Sequence, residues 1–384
     1  MSKVYFLDIK EENYEKMETN FLWNMNKLFK TPEFTGIAKP QKVVAIKVHT
    51  GDLYNQRFLR PIYVSSIVEA LKKRGADPFV TDSSGLGLRA SKSRITKWTR
   101  RNAFEGAETA RRHGYTQEVL GAPFLFADGM YGLDGVEVEV RGHERRKVFV
   151  CKILQDVDAV ICASHFKLHW EGFGGAIKNL GVGLVASPSK YYMHHYEKPR
   201  VNPEKCNACA ACVSYCPVAA ITVTQEQAFI DHQKCVGCDG CVEVCKPKAI
   251  EEEWTEHRDT AARMADNALG VVSLVGKENM LYFNFVLDVT QICDCAPTVG
   301  PPIVPDIGLL MSSDPVAVDK AAVDLVNESP GIPGSAAERH GAMRPGSDKF
   351  ALIPPSTTWK HQIEAAERVG LGSSSYELVK VPLG

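Results

Sequence analysis

The sequence predicts an α/β protein: a mostly parallel sheet with flanking helices, interrupted by a small α+β module rich in cysteine. Three observations carry this. Lys42–His49 and Pro78–Asp82 read as buried strands, and the stretch between them reads as a helix, the order of a right-handed crossover between parallel strands. Strand-and-helix patterning resumes after residue 253, and neither flank looks complete alone. Between the flanks, eight of the chain's twelve cysteines lie between Cys206 and Cys245. The expected division is therefore 1–200 for the first part of the α/β domain, 201–252 for the insertion and 253–384 for the second part.

Residues 11–30 carry Phe21, Leu22, Met25, Leu28 and Phe29 on one side, the spacing of an amphipathic helix. Arg60-Pro61 opens the crossover helix, which runs through Val64, Ile67, Val68 and Leu71 and closes at Gly75. Thr96–Phe104 and Gly106–His113 read as helices. Arg94, Arg100, Arg101, Arg111 and Arg112 make this region basic, the composition of a solvated face. Val136–Val140 alternates strictly and Lys147–Val150 follows a polar turn, which predicts a β-hairpin. Val157–Ala163 is a further buried strand. It leads through Ser164–Trp170 and a glycine-rich turn into a helix that begins at Ala176. Beyond the insertion, Thr255–Leu269 is helical, Asn279–Val289 is a strand, and Pro301–Leu310 is a loop and strand. Asp314 caps a helix with Pro315 in its first turn. Residues 329–356 are mostly loop, Trp359–Val369 is a helix and Tyr376–Val381 a last strand.

The insertion reads Cys206-x2-Cys209-x2-Cys212-x3-Cys216-Pro217, then Cys235-x2-Cys238-x2-Cys241-x3-Cys245. This spacing holds two [4Fe–4S] clusters in bacterial-type ferredoxins, with the fourth cysteine of each run serving the other cluster. Cys206, Cys209, Cys212 and Cys245 are thus expected around one cluster, and Cys235, Cys238, Cys241 and Cys216 around the second. Zinc knuckles need no third cysteine at this spacing. The repeat extends further: Lys205 answers Lys234, and Ala219-Ala220-Ile221 answers Lys248-Ala249-Ile250. One departure is that Cys245 is followed by Lys246 before Pro247.

A net charge of −1 with 45% hydrophobic residues gives no reason to expect nucleic acid or an anionic membrane surface. No stretch approaches a spanning helix, and the start lacks the apolar run of a signal peptide. Cysteines in this pattern suit a reducing cytoplasm. A ferredoxin, flavodoxin or reductase is the expected redox partner, and a homo-oligomer stays open.

Ligands of parallel sheets bind beyond the carboxyl ends of strands. Here Lys47 and His49 close one strand, Asp82 and Ser83 a second, and His165, Lys167 and His169 a third; Cys293, Asp294 and Cys295 close a fourth. The His165-x-Lys167-x-His169 alternation puts three side chains on one face if the strand continues. Gly174-Gly175 then leads into a helix whose free N–H groups, with Lys178 and Asn179 nearby, suit an anionic ligand; the bland reading is a glycine turn. Cys293 and Cys295 are either ligands of a third metal or cluster, a working thiolate, or two buried thiols. Cys151 and Cys162 read as core, and Asp306, Asp314 and Asp319 as acids near the same end.

The run from Ser164-His165-Phe166-Lys167-Leu168-His169 to Gly175-Ala176-Ile177-Lys178-Asn179-Leu180-Gly181 resembles the lysine and "KNL-G" signature of domain-of-unknown-function family 362. Cys293-Asp294-Cys295, Pro305-Asp306-Ile307-Gly308 and Ser313–Asp319 resemble its C-terminal signature, and a ferredoxin insertion at 200–250 is a feature of many members. The resemblance covers nearly the whole chain. It implies an iron–sulfur-centre protein distantly akin in fold to lactate racemase-like α/β proteins, an analogy from which no catalytic residue is carried over.

The leading expectation is an iron–sulfur oxidoreductase. Two [4Fe–4S] clusters pass electrons to a site in the α/β body that binds a small anionic substrate or an unidentified cofactor. Lys167 and Lys178 would neutralise anionic groups, His165 or His169 would move protons, and Asn179, Cys293 and Cys295 complete the site; Asp82, Ser83, Gly174 and Gly175 are its candidate cofactor-binding residues. No G-x-G-x-x-G follows a strand, so a hydride carrier is not required. The alternatives are a non-catalytic electron-transfer subunit, a metallocentre maturation or metal-trafficking factor, and non-redox racemase-like chemistry with structural clusters.

Overall fold

A run of apolar residues without polar alternation cannot leave either face in water, and such runs become the middle of a sheet covered on both sides. A computed structural model, which describes residues 1–85, 100–144, 147–355 and 359–384, shows this sheet. Its strands are β1 (Ser2–Asp8), β2 (Val43–Lys47), β3 (Asp77–Asp82), β4 (Phe124–Phe126), β5 (Ala159–His165), β6 (Met280–Val286), β7 (Gly308–Ser312) and β8 (Tyr376–Lys380). Their order is β8-β1-β7-β6-β5-β2-β3-β4. Only β7 runs against its neighbours; every other pairing in this sheet is parallel.

Successive side chains of a strand face opposite sides. Val44 and Ile46 of β2 join one core with Phe21, Met25 and Leu28 of α1 (Phe21–Leu28) and with Val64, Ile67, Val68 and Leu71 of α2 (Pro61–Lys72). Ala45 joins the other core, which is formed with α4 (Ala176–Gly181), α6 (His257–Val275), α7 (Pro315–Glu328) and α8 (Trp359–Arg368). α3 (Ala103–Arg112) adds Ala110 to the first core, and α5 (Ser187–His194) adds Met193 to the second. The expected hairpin is present as Gly135–Glu139 against Lys147–Cys151.

Several boundaries moved for local reasons. The helix expected over 11–30 starts only at Phe21, because the Asn20 side chain accepts the Trp23 N–H and caps it there. β1 and β4 were not expected: the first is read poorly because its buried Val4, Phe6 and Leu7 alternate imperfectly, the second because three residues make no pattern. Thr96–Thr99 and Arg94 fall outside the described residues.

The cysteine-rich segment closes on itself. Arg200–Val201 pairs antiparallel with Ile250–Glu251, and Ile221–Val223 with Ala228–Ile230. Cys212, Ile221, Ala228, Cys241 and Ile250 form its own small core. Among the described residues no helix is long and apolar enough to cross a membrane.

Asp319 of α7 ties the layers together. Its carboxylate accepts the Ala176 and Ile177 N–H groups of α4 at 2.7 and 2.9 Å and the Asn284 side chain of β6 at 2.7 Å. Burial pushes this carboxyl up to about 7 against those three donors. Asp319→Asn replaces one accepting oxygen with a donor and leaves a buried N–H facing it. We expect a loss of about 1–3 kcal/mol, read as a lower urea midpoint; an unchanged midpoint would mean that the contact contributes nothing to the fold.

Candidate functional site

From β2 the chain winds through β3 to β4 on one side, whereas β5 and β6 lie on the other. The crevice at such a reversal, beyond the carboxyl ends of the strands, is where ligands of open α/β sheets sit. A cavity of about 670 Å³ lies there. Lys47, His49, Asp82, Ser83, His165, Lys167, His169, Gly174, Gly175, Lys178, Asn179, Cys293 and Cys295, expected from sequence at separate strand ends and turns, all line it. The strand ends converge.

Charge is paired tightly along its floor. Lys47 Nζ meets Asp82 at 3.0 Å, Lys167 meets Asp294 at 2.9 Å and Lys190 meets Asp128 at 3.2 Å, all buried. Burial would raise the Asp82 carboxyl, but Lys47, His49 and Arg100 hold it well below the usual carboxylate range. Lys47 also donates to Asn179 Oδ1 at 2.9 Å, and Asn179 Nδ2 donates to Ser164 Oγ at 3.0 Å, so Asn179 positions the lysine. Lys190 further binds Ser83 Oγ at 2.8 Å and the Ser84 carbonyl.

Lys178 differs from these three. Its nearest partner is Cys293 Sγ at 3.7 Å. Burial alone would lower this lysine, but Cys293, Cys295 and Glu171 raise it. Burial would likewise raise the Cys293 thiol, yet a hydrogen bond with Cys295, the charges of Lys178 and Lys167, and a hydrogen bond with His49 pull it well below its ordinary value. Cys295, half-buried and hydrogen-bonded to Cys293, is pushed the other way. The two sulfurs titrate as a coupled pair, and Lys178, Lys167 and His49 favour the anion on the Cys293 side. His169 is pushed down to about 3 by burial and by Lys178, so it is neutral; its Nδ1 accepts the Glu171 N–H at 3.2 Å. One ligand atom each of His169, Cys293 and Cys295 lies within 4.8 Å of the others.

Four expectations need correction. First, the chain does not continue as one strand through His169: β5 stops at His165, and Lys167–His169 forms a short hairpin with Gly172–Gly174. Second, both nitrogens of His165 face acceptors, Asp294 at 2.9 Å and the Leu287 carbonyl at 2.7 Å, so His165 anchors Asp294 and is not free to move a proton. Third, Lys167 is neutralised by Asp294, and the N–H groups at the start of α4 are taken by Asp319. Gly174 and Gly175 instead let other groups close in, because a Cβ there would sit 2.8 Å from Lys167 Cε and 2.3 Å from Asp319 Oδ1. Fourth, the three acids do not gather at the cavity: Asp306 lies at the carboxyl end of β6 as expected, accepting the Asp288 N–H, but Asp314, the expected cap of α7, lies at the opposite end of the sheet because β7 runs antiparallel.

Arg100 was expected on a solvated face. It lines the cavity, 3.8 Å from Asp82 and 3.4 Å from His49 Nε2, and Arg101 is buried against Glu105 and Glu243. Arg111 and Arg112 are exposed beside Glu108, as expected. Cys151 and Cys162 are core thiols, the second pushed up to about 12 by burial.

The cysteine-rich segment contributes two small hollows. One is lined by Cys206, Cys209, Cys212 and Cys245, the other by Cys216, Cys235, Cys238 and Cys241. Backbone N–H groups of Ala220, Ala228 and Ala249 point at Cys216, Cys206 and Cys245 Sγ at 3.1, 3.4 and 3.2 Å. Ala208, Ala210 and Ala219 adopt positive φ, and Gly237, Asp239 and Lys248 repeat the pattern in the second half. The second loop also lies against the cavity, where Asp239, Val242 and Glu243 form part of the wall with Glu252 and Trp254. These wall residues, and Lys190, Glu171 and His194, carried no signal in sequence because they lie on loops and helices distant in the chain.

A family model described as domain of unknown function (DUF362) matches residues 44–324. No curated protein matches the chain. Among solved structures, the lactate racemase apoprotein from Thermoanaerobacterium thermosaccharolyticum matches over 99% of this chain and 83% of that chain, at 11% identity and a TM-score of 0.41.

Lys47→Met would leave Asp82 buried without its lysine. At pH 7 this should cost about 3–5 kcal/mol in urea unfolding. Asp82 is depressed in the folded state, so the stability it contributes is present above its unfolded value near ~4 and is lost as pH falls below it. The deficit of the variant should therefore shrink in acid; a pH-independent deficit would contradict the assignment.

Proposed function

We propose that this chain, which belongs to the DUF362 family, is an iron–sulfur oxidoreductase in which residues 201–252 form a two-[4Fe–4S] ferredoxin-like module serving the cavity in the α/β body. The observation that carries this reading is that the second cysteine loop forms a wall of the same cavity that holds Cys293 and Lys178.

The thiols fit such clusters. Each hollow collects three cysteines of one half and the last of the other, the grouping that two-cluster ferredoxins use. Non-glycine residues at positive φ cost about 1–2 kcal/mol each and persist where their surroundings demand it, here in matching places of both halves. N–H groups aimed at sulfur stabilise thiolate ligands and tune their potential. Bound clusters of this type supply one-electron transfer.

The remaining residues have assignable parts. Cys209 is exposed, so the first hollow would meet an external carrier such as a ferredoxin or flavodoxin, while the loop of the second supplies Asp239, Val242 and Glu243 to the cavity wall. Among the described residues Lys178 has no ion-pair partner closer than the Cys293 sulfur and Arg100 only the Asp82 carboxylate at 3.8 Å, and the two would bind a small anion. Neutral His169 would exchange its proton. Cys293 would act as a thiolate or, with Cys295 and His169, hold a thiolate-preferring metal. That three-ligand set also favours a second reading, a metal-trafficking factor, for which a labile third metal would speak.

Crossed ligation gives a sharp test. In anaerobically purified protein, Cys216→Ser and Cys241→Ser should perturb the same EPR signal of the reduced protein, and Cys206→Ser and Cys245→Ser the other. Cys293→Ser should leave both signals in place. If no cysteine variant alters a reducible signal, or if Cys216→Ser pairs with Cys206→Ser, the module is not of this type.

A further inference from the structure

A second group of ligand atoms lies in the cavity wall and has no part in the reading above. His195 follows α5, Asp239 belongs to the second cysteine loop, and Glu252 is the last residue of the cysteine-rich segment. His195 Nε2, Asp239 Oδ1 and Glu252 Oε2 are buried, and none has a hydrogen-bond partner among the described residues. One ligand atom from each of the three residues lies within 4.8 Å of the others. His195 Nε2 comes within 3.2 Å of Glu252 Oε2 but is not aligned as a donor to it.

His195 Nδ1 lies 3.2 Å from the Tyr191 carbonyl, which can only accept, so Nδ1 donates there and Nε2 is the nitrogen turned toward the acids. Nε2 and two carboxylate oxygens thus face one another, and no other polar group among the described residues reaches them. A backbone carbonyl holding the far nitrogen is also how metal-binding histidines are commonly oriented. The ring is fixed further by stacking on Tyr191, with centroids 4.2 Å apart, and by Trp254 at 4.5 Å. The neighbouring guanidinium groups are committed elsewhere: Arg101 to Glu105 and Glu243, and Arg263, which donates to the His195 carbonyl at 2.9 Å, to Glu144. Asp239 is itself held at φ 60. Two acids and an imidazole nitrogen in one buried wall call for a cation.

We propose that His195, Asp239 and Glu252 bind a divalent first-row transition-metal ion at the seam between the cysteine-rich segment and the α/β body. One imidazole nitrogen and two carboxylate oxygens suit Mn²⁺, Fe²⁺ or Zn²⁺ and not a thiolate-seeking ion. Three protein ligands leave room for water or substrate, and Asp239 and Glu252 line the cavity. The ion would also clamp the second cysteine loop to the body. The inference does not depend on cluster occupancy. The competing arrangement is a proton shared between the two carboxyls.

The test is metal uptake by the full chain. Protein purified anaerobically is dialysed against EDTA, equilibrated separately with Mn²⁺ and with Zn²⁺, and analysed for bound metal; iron and sulfide counts on the same samples report any clusters independently. Wild type should take up one equivalent of at least one ion. Glu252→Gln and Asp239→Asn, both nearly isosteric, should weaken uptake at least ~10-fold, as even second-shell changes at metal sites do. The Cys293→Ser/Cys295→Ser double variant should keep it. Circular dichroism identifies which carboxamide variants are folded; if both unfold, His195→Gln takes their place. Uptake of neither ion by wild type, uptake indifferent to the carboxamide variants, or uptake lost only with Cys293 and Cys295 would overturn the proposal.

Discussion

Buried positive charge is the constraint on which the rest of this structure depends. Lys47, Lys167, Lys178 and Lys190 are each less than a tenth exposed, along one crevice. A buried lysine without a partner tends to give up its proton. Three of the four are answered by an aspartate brought from another segment: Asp82, Asp294 and Asp128. The fourth is answered by the sulfur of Cys293. The same logic pulls the Cys293 thiol toward its anion, because a buried thiol ionises only beside fixed positive charge and donors.

The sheet topology makes this arrangement reachable. Reversal of winding between β2 and β5 opens a crevice that is walled by loops from both halves. The cysteine-rich segment leaves the body close to that crevice and returns to it, so its second loop becomes a wall of the cavity. Breaking a close Lys–Asp pair is expected to be costly because the survivor stays buried. Lys178 and Arg100 are therefore the cations best placed to meet a ligand without dismantling the floor.

Much of this was legible in the residues, for physical reasons. Strands covered on both faces must be apolar throughout, so β2, β3, β5 and β6 stood out, and the rule that ligands sit at strand ends assembled most of the site in advance. The cysteine grouping followed from spacing alone. What failed was anything that depends on a partner far along the chain. The start of α4 read as an anion site, but Asp319, 143 residues away, occupies its first N–H groups. His165 read as a proton carrier, but Asp294 and the Leu287 carbonyl take both nitrogens. Arg100 read as solvated because its cavity neighbours, His49 and Asp82, belong to other strands. Asp239 and Glu252 gave no signal, since isolated acids beside a cysteine run look like solubilising charge.

The central claim is that the eight clustered cysteines hold iron and sulfide beside this charged cavity. The most direct measurement is an iron and acid-labile sulfide count on anaerobically purified full-length protein, with EPR after dithionite reduction. The account predicts about eight irons, a matching amount of sulfide, and two reducible signals that broaden one another. Zinc in the cysteine hollows without acid-labile sulfide, or iron that gives no reducible signal, would contradict it.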